Sequence, residues 1–566
     1  MLSPIIVLFL TIFTGAVQSQ AETKVINLNQ GPVRGYKHSK LDIFTFQGIP
    51  YAEEPKGKDK FKAPLPAPSW PGTLNANTTY KCPQTILSQF HPIPDNCLIC
   101  SIYVPSTNVV NLPVLIFIHG GGFAGGSEDD QKPETLVNSQ RIVAVSINYR
   151  LGVHGFLCLG TEGAPGNAGM KDQVAAIRWV KENIAKFGGN PNDITIAGSS
   201  AGSASVNLHQ LSKMSNGLFQ KIIADSAADI APFAMIQDPI NESKKFVRRI
   251  SSTVNVDDLQ ELEDFYLQTP VDELIKQELI INEDYTLTFG PCVEKNLGAE
   301  TFLEASAYSI IKSGDFPKLP KYEGFANMEG LLRIAEFDEY YPKMNEDFSA
   351  FLPGDLQFES KEQKNEVART VKQFYFGDKD VGPDTALEFF EYFSDTGFTY
   401  SILRSIKLHL EAGMDTYYLF EYAFVDENTG YIPHTNVKGA LHSAQTIAIF
   451  DLPLLELFFP ETPEMTKMRT TLREFYLNFI THGRPVLEDT VSVPAWPKVQ
   501  KFNSPYMLLN QTSTLESSLL QRKFDFWDKI YEKHYHEPQP PNNRGLYYQY
   551  SLVLTLISCV FYSILS

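Results

Sequence analysis

Gly198-Ser199-Ser200-Ala201-Gly202 sets a serine hydroxyl midway between two glycines. An apolar run, Asp193 to Ala197, precedes it, and a helix-compatible stretch follows from Ser203 onward. Strand, G-x-S-x-G and helix in that order make a tight turn in which glycines let the backbone fold closely and the serine is pushed outward, as a nucleophile for acyl transfer. A second cluster, His119-Gly120-Gly121-Gly122-Phe123-Ala124-Gly125-Gly126, follows the apolar run Val114 to Ile118. Its glycines at 120, 122 and 125 also satisfy the dinucleotide pattern G-x-G-x-x-G. That reading fails on context: Glu128, Asp129, Asp130 and Pro133 stand where a phosphate-binding helix would start, and no acidic residue about 20 positions on is placed to hold a ribose. The cluster suits instead a set of backbone N–H groups brought up to a developing oxyanion, with Gly121, Gly122 and Ala201 as the three donors.

These loops need a rigid scaffold. Val114 to Ile118, Val143 to Ile147 and Ile194 to Ile196 are short, β-branched runs of the kind that form strands buried on both faces. Between the last two, Val174, Ile177, Val180, Ile184 and Phe187 recur at spacings of three or four, and Gly188 is placed to end that helix. Strand, helix, strand means parallel strands joined by a crossover, so the fold class is α/β with a central, mostly parallel sheet. No repeat or low-complexity block interrupts residues 22 to 535, and the composition, 43% hydrophobic and 20% charged over 566 residues, is globular. The charge balance, 48 basic against 66 acidic residues for a net −18, excludes nucleic acid as a partner.

Beyond the two glycine clusters, a series of motifs runs in order along the chain. They are Phe46-Gln47-Gly48-Ile49-Pro50-Tyr51-Ala52, Asn96-Cys97-Leu98, Asn148-Tyr149-Arg150-Leu151-Gly152, Gly166-Asn167-Ala168-Gly169 with Asp172-Gln173, and Phe187-Gly188-Gly189-Asn190-Pro191. With these, the chain resembles the type B carboxylesterase and cholinesterase family of α/β-hydrolases, and most closely its insect carboxylesterase branch, over roughly residues 25 to 530. The resemblance implies a single α/β-hydrolase domain over 22–535, a site at the bottom of a gorge, a small-molecule ester as substrate and no cofactor. It implies a triad in the chain order nucleophile, acid, base. Asn327-Met328-Glu329-Gly330 matches the acid position, with Glu323-Gly324 a second match nearby, and Gly439-Ala440-Leu441-His442 matches the Gly-x-x-His of the base. The expected set is Ser200, Glu329 and His442, with Ser226 supporting them, while His434 and His482 read as loop histidines. Two class-level alternatives accompany it: a juvenile-hormone-esterase-like enzyme, and a catalytically silent adhesion or ligand-binding protein of the same fold.

Departures from the family pattern carry their own expectations. Position 199 is Ser where Glu is common, and Ser443-Ala444-Gln445 follows His442 where an acidic residue is usual. The stretch from Cys82 to Cys97 contains no Trp to receive a quaternary ammonium, so neutral esters are expected over choline esters. The resemblance pairs Cys82 with Cys97, worth about 3 kcal/mol by loop entropy, and leaves Cys100, Cys158 and Cys292 unpaired. His534, His536 and Glu537 crowd together without the further ligands that zinc needs, so no metal is expected.

The ends read as targeting signals. Pro4 to Phe13 is a short apolar core followed by small residues, a secretory signal peptide over 1–19 with a possible cut after 21. Export would make Asn77, Asn241 and Asn510 glycan acceptors. A polar, Pro-rich spacer, 536–545, leads to an uncharged apolar tail over 546–566. This fits membrane attachment through the C-terminus, by lipid transfer near Asn543 or by the tail itself, at the outer cell surface.

Overall fold

The computed structural model describes residues 22–85, 94–276, 281–452, 461–488, 493–500 and 503–541. The leader, the apolar tail and Asn543 lie outside them. A 13-stranded mixed sheet runs through the molecule. From Val143–Ile147 through Leu112–Ile118, Gly189–Ser199, Lys221–Asp225, Lys321–Ala326 and Tyr417–Tyr422 to Tyr506–Leu509, neighbouring strands are parallel. Antiparallel strands extend both edges, with Ile99–Pro105 at one side and Ser513–Glu516 at the other.

Strand side chains alternate between two cores. Val114, Ile116 and Ile118 belong to one hydrophobic cluster, with Ile196 and Ile222, while Leu115 and Phe117 join Ala197 and Ile223 in the other. Both faces are therefore covered, which is why these strands read as continuous apolar runs with no polar alternation. The crossover helix is Ala168–Asn183. It buries Val174, Ile177 and Val180, tightens into a 3-10 turn over Ile184–Phe187, and ends at Gly188 with φ 89°. Two boundaries differ from the sequence expectation. Pro113 lies inside the strand Leu112–Ile118, at an irregular step in the pairing between Gly189 and Ile194, where a missing N–H leaves no ladder bond open. His482 is the last residue of the helix Pro463–His482, capped by Gly483. His434 does sit in a loop, its ring 5.6 Å from that of Phe337.

The motifs outside the glycine clusters hold the loops of the sheet together. Arg150, fully buried, grips Asp172 through Nε at 2.8 Å and Nη2 at 2.7 Å, and also donates to the carbonyls of Lys60 and Lys62. Bidentate geometry and carbonyl acceptors together satisfy a charge that would otherwise be costly to bury. Asn148 donates to the carbonyl of Cys97, beside the disulfide Cys82–Cys97.

The cysteine expectation needs correction: Cys158 and Cys292 form a second disulfide, and Cys100 is the buried free thiol among the described residues. A separation of 134 positions carries no local signal of pairing. The Cys292 end is held by Asn167, whose amide donates to the Cys292 carbonyl at 2.8 Å and accepts from its N–H at 2.9 Å. The neighbouring Lys171–Glu294 ion pair reinforces that contact. By loop entropy the second bridge is worth about 5 kcal/mol against about 3 for the first. Replacing Cys158 and Cys292 together by Ala is therefore expected to lower the urea midpoint more than replacing Cys82 and Cys97. Equal shifts would refute that ranking.

Candidate active site

The serine turn is built by backbones in contact. A Cβ on Gly198 would lie 2.2 Å from the Gly202 carbonyl oxygen, and one on Gly202 would lie 2.1 Å from that of Ile118. Only glycine fits either place. Ser200 between them takes φ 56°, ψ −124°, an unfavourable conformation for a side chain, held by its N–H donating to the Asp225 carbonyl at 2.8 Å. Helix Ala201–Leu211 starts immediately after, so its first amides and partial positive charge lie beside the hydroxyl.

The glycine cluster presses on this turn from the next strand. A Cβ on Gly120 would stand 2.6 Å from the Ser199 carbonyl oxygen and 3.0 Å from Ser200 Cβ. Gly121, at φ 106°, accepts from the amides of Ala124 and Gly125, both at 3.0 Å, which closes the loop on itself. Gly122 is more open, with Ile281 Cδ1 at 3.7 Å from the position of a Cβ. His119 underlies the loop: Nδ1 meets the Gly120 carbonyl at 2.8 Å, the ring stacks on Tyr149 at 4.5 Å, and burial pushes its pKa down to about 4. It is a neutral prop for the loop.

Downstream, the strand Lys321–Ala326 delivers Glu329 at the start of a 3-10 helix, Glu329–Arg333. Its Oε1 accepts from the Ala326 N–H at 2.7 Å and its Oε2 receives His442 Nδ1 at 2.5 Å. Glu323, the second sequence match, stays within the strand. Its carboxylate has no hydrogen-bond partner among the described residues, and burial drives its pKa up to about 8. Asn327 ties the acid-bearing turn to the histidine-bearing one by accepting from the Ala440 N–H at 2.9 Å. His442 Nε2 has no hydrogen-bond partner among the described residues. Ser200, His442, Gly121 and Gly122 line one cavity of about 340 Å³, together with the apolar side chains of Phe233 and Phe398.

The two departures from the family pattern lie here as well. Ser199 Oγ donates to Ser443 Oγ at 2.8 Å, Gln445 donates to Ser226 Oγ at 2.8 Å, and Thr446 donates to Asp225 at 3.0 Å. The helix that follows His442, Ala444–Ile449, is thereby stitched to the strand ends that carry Ser200. Tyr476 donates to the same Asp225 carboxylate, whose pKa burial raises to about 7 against the pull of these hydrogen bonds. Thr446 and Asp225 were not legible as site residues, since nothing in their local sequence marks them. Among the described residues no group of three or more His, Cys, Asp or Glu is placed to hold a metal.

Comparison with known proteins agrees with this architecture. The family model described as "Carboxylesterase family" matches residues 22–527. A carboxylic ester hydrolase of Bombus ignitus is 30% identical over 550 residues, covering 93% of this chain and 97% of that protein. A juvenile hormone esterase of Heliothis virescens is 31% identical over 513 residues, covering 85% and 89%. The crystal structure of juvenile hormone esterase from Manduca sexta, with OTFP covalently attached, superposes with a TM-score of 0.78 at 28% identity, covering 90% of this chain and 100% of that one. A match over nearly the whole length, on top of a shared α/β-hydrolase sheet, places the chain beyond likeness of fold alone: it belongs to the carboxylesterase family and is a carboxylic ester hydrolase.

Proposed function

We propose that Ser200, His442 and Glu329 carry the ester hydrolysis and that the amides of Gly121, Gly122 and Ala201 hold the oxyanion. The observation that carries this reading is the Glu329–His442 contact at 2.5 Å, with the opposite ring nitrogen unpartnered among the described residues on a histidine that lines the same cavity as Ser200. Ser200 Oγ adds to the ester carbonyl as its proton passes to His442 Nε2, and the carbonyl oxygen takes negative charge among the amides. Collapse breaks the C–O bond to the alcohol, which leaves with the histidine's proton. Water then attacks the acyl-Ser200 ester by the same route, releasing the acid and restoring the hydroxyl. Glu329 holds the ring in the tautomer that presents Nε2 as acceptor and stabilises the imidazolium in between. Ser200→Ala is expected to lower kcat by a factor on the order of 10⁶ with the fold intact, since glycines and not the hydroxyl shape the turn. Full turnover in that variant on p-nitrophenyl acetate would sink the assignment.

The preferred substrate is a neutral ester. Ser199 and Gln445 place uncharged groups where the family pattern has carboxylates, and the cavity wall at Phe233, Ile281, Leu287 and Phe398 is apolar. With no Trp between Cys82 and Cys97, a quaternary ammonium also lacks the aromatic contact that the family offers it from that stretch, worth about 2 kcal/mol. A neutral acetate should thus show a higher kcat/KM than acetylthiocholine of equal leaving-group quality; the reverse order would contradict the reading.

The working place proposed is the outer cell surface after export. Two disulfides suit an oxidising compartment, Asn77 is exposed, and Asn241 and Asn510 are half-buried. Among the described residues no helix is long and apolar enough to cross a membrane. The uncharged stretch 546–566 is the segment proposed for attachment, with lipid transfer near Asn543. Phosphatidylinositol-specific phospholipase C should release esterase activity from expressing cells, and retention of that activity would overturn the lipid anchor.

A further inference from the structure

Residues 281–287 form a hairpin that separates two cavities. Ile281 and Leu287 pair as an antiparallel bridge, Asn282 N–H donates to the Thr286 carbonyl at 3.0 Å, and Tyr285 N–H donates to that of Asn282 at 3.1 Å. Its residues divide between the two spaces. Ile281, Tyr285 and Leu287 line the ester cavity of about 340 Å³. Asn282, Glu283, Asp284 and Thr286, with Leu287 shared, line a second cavity of about 660 Å³ whose wall also carries Lys245 and Arg248. The hairpin is thus the partition between an apolar chamber and a charged one.

One side chain holds that partition from behind. Arg333 is 3% exposed and closes the short helix that begins at Glu329. Its Nη1 donates to the Ile281 carbonyl at 3.2 Å and its Nη2 to that of Asn282 at 2.6 Å. The guanidinium lies 4.5 Å from the Tyr285 ring centre, and Tyr285 in turn donates to the Phe393 carbonyl at 3.0 Å. Its Nε has no hydrogen-bond partner among the described residues, and Glu336, the carboxylate within ion-pair range, is 3.9 Å away. A buried cation without a close counter-ion is costly, and an apolar side chain would fill this volume at less cost. What an apolar residue cannot do is hold two successive carbonyls with one planar fork.

We propose that Arg333 is a specificity-determining positioning residue. By pinning the hairpin it keeps the ester cavity closed off from the charged chamber and so limits the size of the ester group that faces this wall. The inference rests on Ser200 being the nucleophile of the same cavity. Arg333 touches no reacting atom, so its loss should alter which esters fit and leave bond cleavage in the smallest ester nearly unchanged.

The test compares wild type, Arg333→Met and Arg333→Lys on two series: p-nitrophenyl esters of increasing acyl length, and alkyl esters of one acid with increasing alcohol length. Arg333→Met should keep kcat on the shortest ester within about threefold. In one of the two series it should raise the ratio of kcat/KM for the longest ester to that for the shortest by about tenfold. Arg333→Lys, which keeps the charge and loses the fork, should shift the ratio in the same direction by less. Ile281→Ala opens the wall directly and should move the same ratio, so the proposal stays testable even where Arg333→Met does not fold. Unchanged ratios in both series, or a parallel fall for every ester, would overturn the proposal. Ser200→Ala separates the two levels. Activity that survives it would overturn the site reading and the partition together, whereas unchanged ratios in an enzyme that Ser200→Ala silences would overturn the partition alone.

Discussion

The structure depends on backbone passing against backbone where the strands Leu112–Ile118 and Gly189–Ser199 end side by side. Gly202 lies under the Ile118 carbonyl, Gly198 under that of Gly202, and Gly120 against that of Ser199, each too close for a Cβ. A single methyl group at any of these places would drive apart the serine turn and the loop of amides that faces it. The register Gly198↔Ile118 in the parallel ladder sets the height at which both loops emerge. Everything else around the cavity is fitted to that fixed pair.

The histidine side is attached differently, by side chains. Three hydrogen bonds, Ser443 with Ser199, Gln445 with Ser226 and Thr446 with Asp225, join the segment after His442 to the strand ends. All but Asp225 are neutral. The only carboxylate in hydrogen-bond contact with the imidazole among the described residues is Glu329, so in the proposed mechanism the stabilisation of a transient positive charge on the ring is concentrated in one contact at 2.5 Å. These short links, two of the three between neutral groups, position the segment without bringing a second carboxylate into hydrogen-bond contact with the ring among the described residues.

How much of this was legible depends on distance along the chain. The serine turn, the glycine loop and the crossover helix announce themselves because their constraints act within a few residues: glycine where backbones touch, apolar side chains at the helical or strand period. The sequence marked Glu329 for the acid with Glu323 as a competing match, since both precede glycine; the two part where the chain leaves the strand after Ala326, and it is Glu329 that meets His442. Cys158 and Cys292 were misread because the Asn167 side chain that holds the Cys292 end acts across 125 positions. Pro113 looked like a strand boundary because the irregular pairing that accommodates it belongs to the neighbouring strand. Hairpin 281–287 left no periodic signal, being a wall made by its contacts with Arg333 and Phe393.

Glu329 and Arg333 stand at the two ends of one five-residue helix. The carboxylate that meets His442 and the fork that braces the cavity wall therefore leave one short element by separate side chains. In the proposed mechanism, alignment of the base and breadth of the wall are set by different residues of that element, so a change at Arg333 reshapes the wall while Glu329 keeps its grip on His442. The hairpin's other face, Glu283, Asp284 and Thr286, borders only the charged chamber, so substitutions there leave both the lining of the ester cavity and the contact of Glu329 with His442 in place.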